Sequence, residues 1–134
     1  MINGFNIVVD ELKSRIHHLW SIYVFGSHAS GDALPGSDLD LAVFGASKYG
    51  HQELYETGGI LAMKIHQDVD LVDLRSVPTD LRARIISTGK RFIVSEFAQV
   101  ERFENFVFCS YAKLNDERRF IIQDIEEQGS IHDR

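Results

Sequence analysis

Two carboxylates separated by one residue form the clearest chemical pattern in the chain. Gly26 and Ser27 follow an apolar run, and Asp38 and Asp40 come just before another apolar run. Because side chains along a strand alternate between its two faces, Asp38 and Asp40 are expected on one face of the second strand. Carboxylate oxygens at this spacing suit a hard divalent cation such as Mg²⁺. The pattern therefore predicts a metal held by the two carboxylates.

The Gly-Ser turn has the features that an anion needs. Gly26 lacks a Cβ, so a ligand can come close to the backbone. Ser27 is expected to open a short helical turn, whose free N–H groups favour an anion. The turn and the carboxylates together predict a bound metal–triphosphate, with phosphates on Gly26 and Ser27. The alternative is a polar loop in which an aspartate caps a helix.

A third carboxylate, Asp70, lies between two apolar residues of a predicted third strand, 68–73. On a central strand such a carboxylate would be costly unless it bound a metal or a partner. The other interpretation is a solvated residue on an edge strand. Asp68 and Asp73 are expected at the surface or as capping residues.

The loop carries a family resemblance. Its Gly-Ser-x10-Asp-x-Asp pattern resembles the signature of the DNA polymerase β-like nucleotidyltransferase superfamily, and the chain looks most like the minimal, MNT-type antitoxins. Ser30 stands where that family often has Arg, and His28 and Leu34 stand where basic residues are common. The matching positions are Gly26, Ser27, Ala29, Gly31, Ala33, Pro35, Ser37, Asp38 and Asp40.

The resemblance implies a reaction, cofactors and a partner. It implies transfer of AMP from ATP, with Asp38, Asp40 and Asp70 as catalytic residues that bind Mg²⁺, as two ions. It further implies that the acceptor is a tyrosine hydroxyl of a cognate HEPN-type ribonuclease toxin. Two alternatives stay open: an antitoxin that neutralises its partner by masking, with weak or no catalysis, and nucleotidyl transfer to a small molecule.

Length and composition limit the number of domains, the kind of partner and the cellular compartment. The 134 residues predict one domain, 1–134, and the net charge of −6 argues against direct DNA or RNA binding while suiting a basic protein partner. The single cysteine, Cys109, cannot form an internal disulfide and is expected to be a buried, inert thiol in a reducing, cytoplasmic compartment. No apolar run predicts a membrane span, and no signal peptide is expected.

Hydrophobic periodicity predicts the elements that must position the site. We expect an α/β (α+β) fold: a small mixed sheet of about four strands with helices on one side and a long C-terminal helix packed against it. The three carboxylates would converge at one end of the sheet. The pair Gly58-Gly59 weakens one predicted helix and indicates a break or the close approach of another backbone. Predicted helices span about 8–19, 51–66, 79–88 and 97–127, and predicted strands span about 21–25, 39–44, 68–73 and 92–94.

The C-terminal helix carries an aromatic stripe with two interpretations. The stripe is either core or, in its far half, a surface for a partner. Gly129 is expected to end the helix. The stripe consists of Phe103, Val107, Leu114, Ile121 and Ile125, widened by Phe106, Phe108, Tyr111 and Phe120. Arg82, Arg84, Lys90 and Arg91 are expected to be mostly solvated, with one able to reach a phosphate.

Overall fold

The computed structural model describes residues 5–31 and 37–132, with Ser30 and residues 118–132 described as helical backbone alone. The predicted Pro35-Gly36 turn and the motif positions Ala33 and Leu34 lie outside the described residues. The helices are α1 (Phe5–Arg15), α2 (Ser27–Ser30), α3 (His51–Ile65), α4 (Thr79–Thr88) and α5 (Phe97–His132). The strands are β1 (Leu19–Phe25), β2 (Leu39–Gly45), β3 (Val69–Asp73) and β4 (Lys90–Ile93).

The strands form one mixed sheet in the order β3-β2-β1-β4, which confirms the predicted sheet. Strand β1 is antiparallel to both β2 and β4, whereas β2 and β3 are parallel. A parallel pair needs a long crossover connection, and α3 supplies it. Strands β3 and β4 are therefore the edges of the sheet.

Helices cover both faces of this sheet, so the expectation of helices on one side is wrong. Buried residues of α1, α3 and one strand face form one core, which includes Leu12, Leu41 and Leu61. Tyr23 and Phe44, on the opposite strand face, join the second core with residues of α4 and α5. The physical reason is that β1 and β2 are apolar on both faces, as strands covered on both sides usually are.

Several predicted helix boundaries shift. Helix α1 begins and ends earlier than its apolar period suggested, because Leu19 already belongs to β1 and His18 has a left-handed φ of 54°. Helix α3 continues unbroken through Gly58 and Gly59. Helix α5 also continues through Gly129 as far as His132, so Gly129 does not end it.

The first turns of α5 are anchored to the sheet. Val100 and Val107 are buried, and Phe103 stacks on Phe44 with ring centroids 4.2 Å apart. The Tyr23 hydroxyl donates a hydrogen bond of 2.6 Å to the buried Glu104 carboxylate. Burial and this bond raise the pKa of Tyr23 far above its usual range. The face of α5 that carries Val100, Phe103, Glu104 and Val107 is thus part of the core.

The side chains next to this anchor point outward. Phe106 is 62% exposed and Phe108 is 41% exposed, so the aromatic stripe is not all core. Cys109 is exposed as well, and the expectation of a buried thiol is wrong. Phe120, Ile121 and Ile125 have no described side chains. None of the helices in the described ranges is long and apolar enough to cross a bilayer.

Candidate active site

The pairing of β1, β2 and β3 brings the three predicted carboxylates and Gly26 to one end of the sheet. Asp40, at the start of β2, is the register partner of Phe25 at the end of β1 and of Asp70 at the start of β3. Cross-strand partners project from the same face, so Asp40 and Asp70 lie side by side. Gly26 follows Phe25 directly, and Asp38 is two residues before Asp40. The end of β1 and the starts of β2 and β3 therefore build the site.

Gly26 is held against the carboxylate of Asp40. A Cβ at position 26 would coincide with the space occupied by Asp40 Oδ2, and the φ of +72° is one that L residues rarely adopt. Helix α2 begins immediately afterwards, with the Ala29 N–H donating to the Gly26 carbonyl at 3.1 Å. The short helical turn expected at Ser27 is thus confirmed. The missing Cβ of Gly26 also makes room for the side chain of Asp40.

The neighbouring carboxylates and burial both act on Asp40. Burial raises the pKa of Asp40 above its usual value, and the charges of Asp70 and Asp38 raise it further, while His28 opposes them. Asp40 is half-buried, whereas Asp38 and Asp70 are exposed. Like charges this close favour uptake of a proton or a cation. The site is thus electrostatically prepared for a positive ligand.

Sequence reasoning missed Gln67, which fixes the entry to β2. The Gln67 side-chain amide donates to the Ser37 carbonyl at 2.6 Å, and His28 Nε2 lies 3.3 Å from the same oxygen. Gln67 Nε2 and His28 Nε2 are themselves 2.8 Å apart. Ser37 immediately precedes Asp38, so these contacts orient the backbone that carries the first carboxylate. No local sequence motif could have predicted this role of Gln67, because its partners Ser37 and His28 are 30 and 39 residues away in the sequence.

Asp70 reaches the site for a different reason than expected. Because β3 is an edge strand and Asp70 is exposed, burial does not make its carboxylate costly. Its register with Asp40 is what places it beside the other carboxylates. Asp68 is exposed, and Asp73, although buried, accepts hydrogen bonds from the N–H groups of Tyr49 at 2.8 Å and Arg75 at 3.0 Å, so the expectation of surface or capping residues is confirmed for both.

Two of the four basic residues expected to be solvated hold the fold together. Arg82 donates to three carbonyls of the turn between β3 and α4, and burial lowers the pKa of its guanidinium. Arg91 binds the Glu104 carboxylate at 2.8 Å. Arg84 and Lys90 are exposed. Residues 16–47, which include the whole Gly-Ser loop, contain no Lys or Arg.

The carboxylates fit a hard cation by donor type. Among the residues that the structure describes, no three His, Cys, Asp or Glu side chains are grouped closely enough to hold a metal by themselves. Mg²⁺ commonly takes only one or two protein carboxylates and completes its shell with water and substrate phosphate oxygens. Two of the three carboxylates Asp38, Asp40 and Asp70, beside the Gly26 turn, would suffice for that pattern.

A protein-family model and a named relative each match most of the chain. The family model described as polymerase beta, nucleotidyltransferase matches residues 9–97. The protein adenylyltransferase MntA of Shewanella oneidensis is 34% identical over 120 residues, which cover 90% of this chain and 86% of MntA.

Solved structures extend the similarity over nearly the whole chain. A chain in the crystal structure of a toxin–antitoxin with AMP-PNP is 34% identical, with a TM-score of 0.81, and the match covers 93% of this chain and 99% of that one. A chain from the structure of a tri-AMPylated Shewanella oneidensis HEPN toxin in complex with MNT antitoxin is 32% identical, with a TM-score of 0.73. That match covers 90% of this chain and 94% of the other.

Proposed function

Since the chain belongs to the polymerase β nucleotidyltransferase family, we propose that it is an antitoxin that transfers AMP from ATP to a HEPN-type toxin. The acceptor is a tyrosine hydroxyl, and the modification neutralises the toxin. The observation that carries this proposal is the pairing of Asp40 with Asp70 beside Gly26 and Ser27. The name of the MntA relative and the AMPylated toxin bound to an MNT antitoxin support the same reaction.

The proposed roles follow from the position of each residue. Gly26 and Ser27 hold the β and γ phosphates of ATP at the end of β1. Asp38, Asp40 and Asp70 hold Mg²⁺, and the enzyme depends on it. When bound, the metal neutralises charge on the triphosphate and polarises the α-phosphate. Asp40 is half-buried, and burial together with the charges of Asp70 and Asp38 raises the pKa of its carboxyl.

The transfer itself exchanges one bond to the α-phosphorus for another. The acceptor oxygen attacks the α-phosphorus in line, the bond to the β-phosphate oxygen breaks, and pyrophosphate leaves. The hydroxyl proton passes to Asp70, which is exposed at the edge of the sheet and therefore open to an incoming acceptor. Asp70 is the group we assign as the general base.

The partner also binds along α5. Phe106 lies on the outward side of the turns that anchor α5, and Phe108, two residues further on, lies on a different side of the helix; both aromatic side chains are exposed and so available to a partner. A deletion from residue 100 would remove the buried Val100, Glu104 and Val107 and thereby damage the core. Point substitutions of the exposed aromatic residues test this surface without that damage.

A second candidate function is neutralisation by masking alone. It is favoured by the absence of Lys and Arg from residues 16–47, which leaves the loop without a fixed positive charge for the triphosphate. The two functions differ in what survives when the carboxylates are removed. A masking protein would still neutralise the toxin after Asp38→Asn and Asp40→Asn.

The deciding experiment is an AMP-transfer assay with labelled ATP, Mg²⁺ and the cognate toxin. We expect label on the toxin with the wild type and none with the Asp38→Asn, Asp40→Asn double variant. Toxin protection in cells is measured in parallel for both proteins. Unlabelled toxin that both proteins nevertheless neutralise would refute the enzyme and support masking.

A further inference from the structure

A groove runs along the outer edge of β3 and ends at the candidate site. It has a volume of about 430 Å³ and is lined by residues of β3 and of helix α3, which packs directly on the strand at the buried Gly58. Gly58 of α3 lies against Val69 and Leu71 of β3, whereas Gly59 faces open space, and the lining of the groove includes both glycines and Asp70. A second cavity of about 260 Å³ shares Asp70 and Leu71 with it and follows the same strand onward. The two cavities form a trough alongside the strand that carries Asp70.

The floor of this trough is the outer edge of β3, with which no strand pairs in the part of the chain that the structure describes. The Leu39 N–H bonds the Asp68 carbonyl at 2.8 Å, and the Leu74 N–H bonds the Val43 carbonyl at 2.9 Å. Even-numbered residues of β3 therefore direct their backbone groups towards β2, and odd-numbered residues direct theirs away. Since β2 is the one strand that pairs with β3 among the described residues, Val69 and Leu71 present their backbone groups to the outer edge. Such an edge can accept a further strand.

The wall of the trough contains a glycine pair that the fold does not need. A Cβ at Gly58 would lie at ordinary contact distances, 3.5 Å from the Val69 carbonyl oxygen and 3.6 Å from Leu71 Cβ. A Cβ at Gly59 would meet nothing within 4 Å. Each glycine in a helix interior costs about 1 kcal/mol relative to alanine. Two glycines that the packing does not require lower the stability of the helix, and such a loss is expected where the helix surface must stay flat for a ligand.

We propose that an extended segment of the toxin, carrying the acceptor hydroxyl, binds in this trough as an added strand on β3. This inference rests on the proposed function and adds how the toxin segment with the acceptor hydroxyl is bound. Main-chain hydrogen bonds to Val69 and Leu71 set the register of the segment, and the open surface at Gly59 leaves room for its backbone. The register brings the acceptor hydroxyl to Asp70. The exposed Asp68 carboxylate beside it favours a basic residue next to the acceptor.

Filling the groove tests the proposal. Gly59→Leu is expected to lower AMP transfer to the toxin at least tenfold through a higher KM for the toxin, with ATP affinity within twofold of the wild type. Gly58→Ala with Gly59→Ala is expected to retain or raise the melting temperature and still weaken transfer. Glu56→Leu is the matched control, because Glu56 is exposed on the same helix outside the groove lining, and it should leave transfer unchanged.

Hydrogen exchange gives a readout that does not depend on catalysis. The outward N–H of Leu71 should become protected when the toxin binds the wild type, and this protection should be lost in Gly59→Leu. Unchanged Leu71 exchange in the complex would overturn the proposal, as would normal transfer by Gly59→Leu.

Two further results separate this proposal from the proposed function. A loss of ATP affinity in Gly59→Leu would assign the groove to the nucleotide and refute strand addition. If the wild type transferred no AMP, the proposed function would fail, and Leu71 exchange would still decide whether a toxin segment occupies the groove.

Discussion

Asp40 of β2 and Asp70 of β3 are directly opposite each other in the parallel pairing of the two strands. Like charges in such a position destabilise a sheet. The Asp40 carboxylate also lies close to the backbone of Gly26. The fold thus tolerates an arrangement whose repulsion a bound cation would relieve, which supports a role for these residues in metal binding.

Asp40→Asn should stabilise the metal-free protein while abolishing AMP transfer. Burial and neighbouring carboxylates raise the Asp40 pKa in the folded state above its unfolded value. The folded state therefore binds this proton more tightly, and the associated stability is lost as pH rises through the folded pKa. In EDTA at pH 7 the variant should melt higher than the wild type, and the difference should vanish below about pH 4.

The control for this prediction is Asp68→Asn, which changes an exposed aspartate near Asp70 without touching Asp40. It should leave the pH profile of the melting temperature unchanged. A lower melting temperature of Asp40→Asn at pH 7 in EDTA would contradict the assigned repulsion.

Removal of divalent metal should stop the reaction reversibly. Chelation with EDTA is expected to abolish AMP transfer, and added Mg²⁺ should restore it, because the carboxylates otherwise repel the triphosphate. ATP with Mg²⁺ should raise the melting temperature, by the equivalent of about 2.7 kcal/mol at a ligand concentration one hundred times Kd. Thermal unfolding with ATP alone, Mg²⁺ alone and both together would test this; equal stabilisation by ATP without metal would argue against metal-dependent binding.

Gly26→Ala should damage the site more than Gly31→Ala. Both glycines have a left-handed φ, +72° and +83°, but a Cβ at Gly26 meets Asp40 Oδ2 whereas one at Gly31 meets nothing within 4 Å. The strain common to both should cost about 1 kcal/mol or more. Only Gly26→Ala should also displace Asp40 and reduce transfer at least tenfold. Urea unfolding and AMP transfer measured on both variants provide the comparison, and equal activities would show that the contact does not matter.

Gln67→Ala should slow transfer with little effect on the stability of the fold. The substitution removes the 2.6 Å hydrogen bond to the Ser37 carbonyl, so the backbone before Asp38 loses its support. We expect a lower kcat with nearly unchanged KM for the toxin. Gln52→Ala is the control, because Gln52 is exposed on α3 and bonds only Glu56 in the described residues. A loss confined to KM would place Gln67 in toxin binding instead.

Phe106→Glu should weaken toxin binding without altering ATP binding. Phe106 is 62% exposed, so the substitution leaves the core intact while placing a charge on the proposed α5 surface. We expect at least a tenfold weaker complex by titration calorimetry. Asn105→Glu introduces the same charge at the neighbouring exposed position and should have a smaller effect. Equal affinities of wild type and Phe106→Glu would exclude this part of α5 from the interface.

Local chemistry was sufficient to predict the parts of the site that depend on neighbours in the chain. Turn residues predicted the break at Gly26 and the helical turn at Ser27, and alternation predicted the apolar and acidic faces of β2 and β3. These features depend on backbone geometry over a few residues. The family resemblance added the roles of Asp38, Asp40 and Asp70, which stay predictions.

Tertiary structure decided what depends on distant partners. The opposition of Asp40 and Asp70 needs the register of two strands, and the support of Ser37 by Gln67 needs the end of α3 to return to the loop. Burial also depends on packing, which is why Asp73 proved buried and Cys109 exposed. Helical periodicity shows that a face is apolar, but only the assembled fold determines which element, if any, covers it.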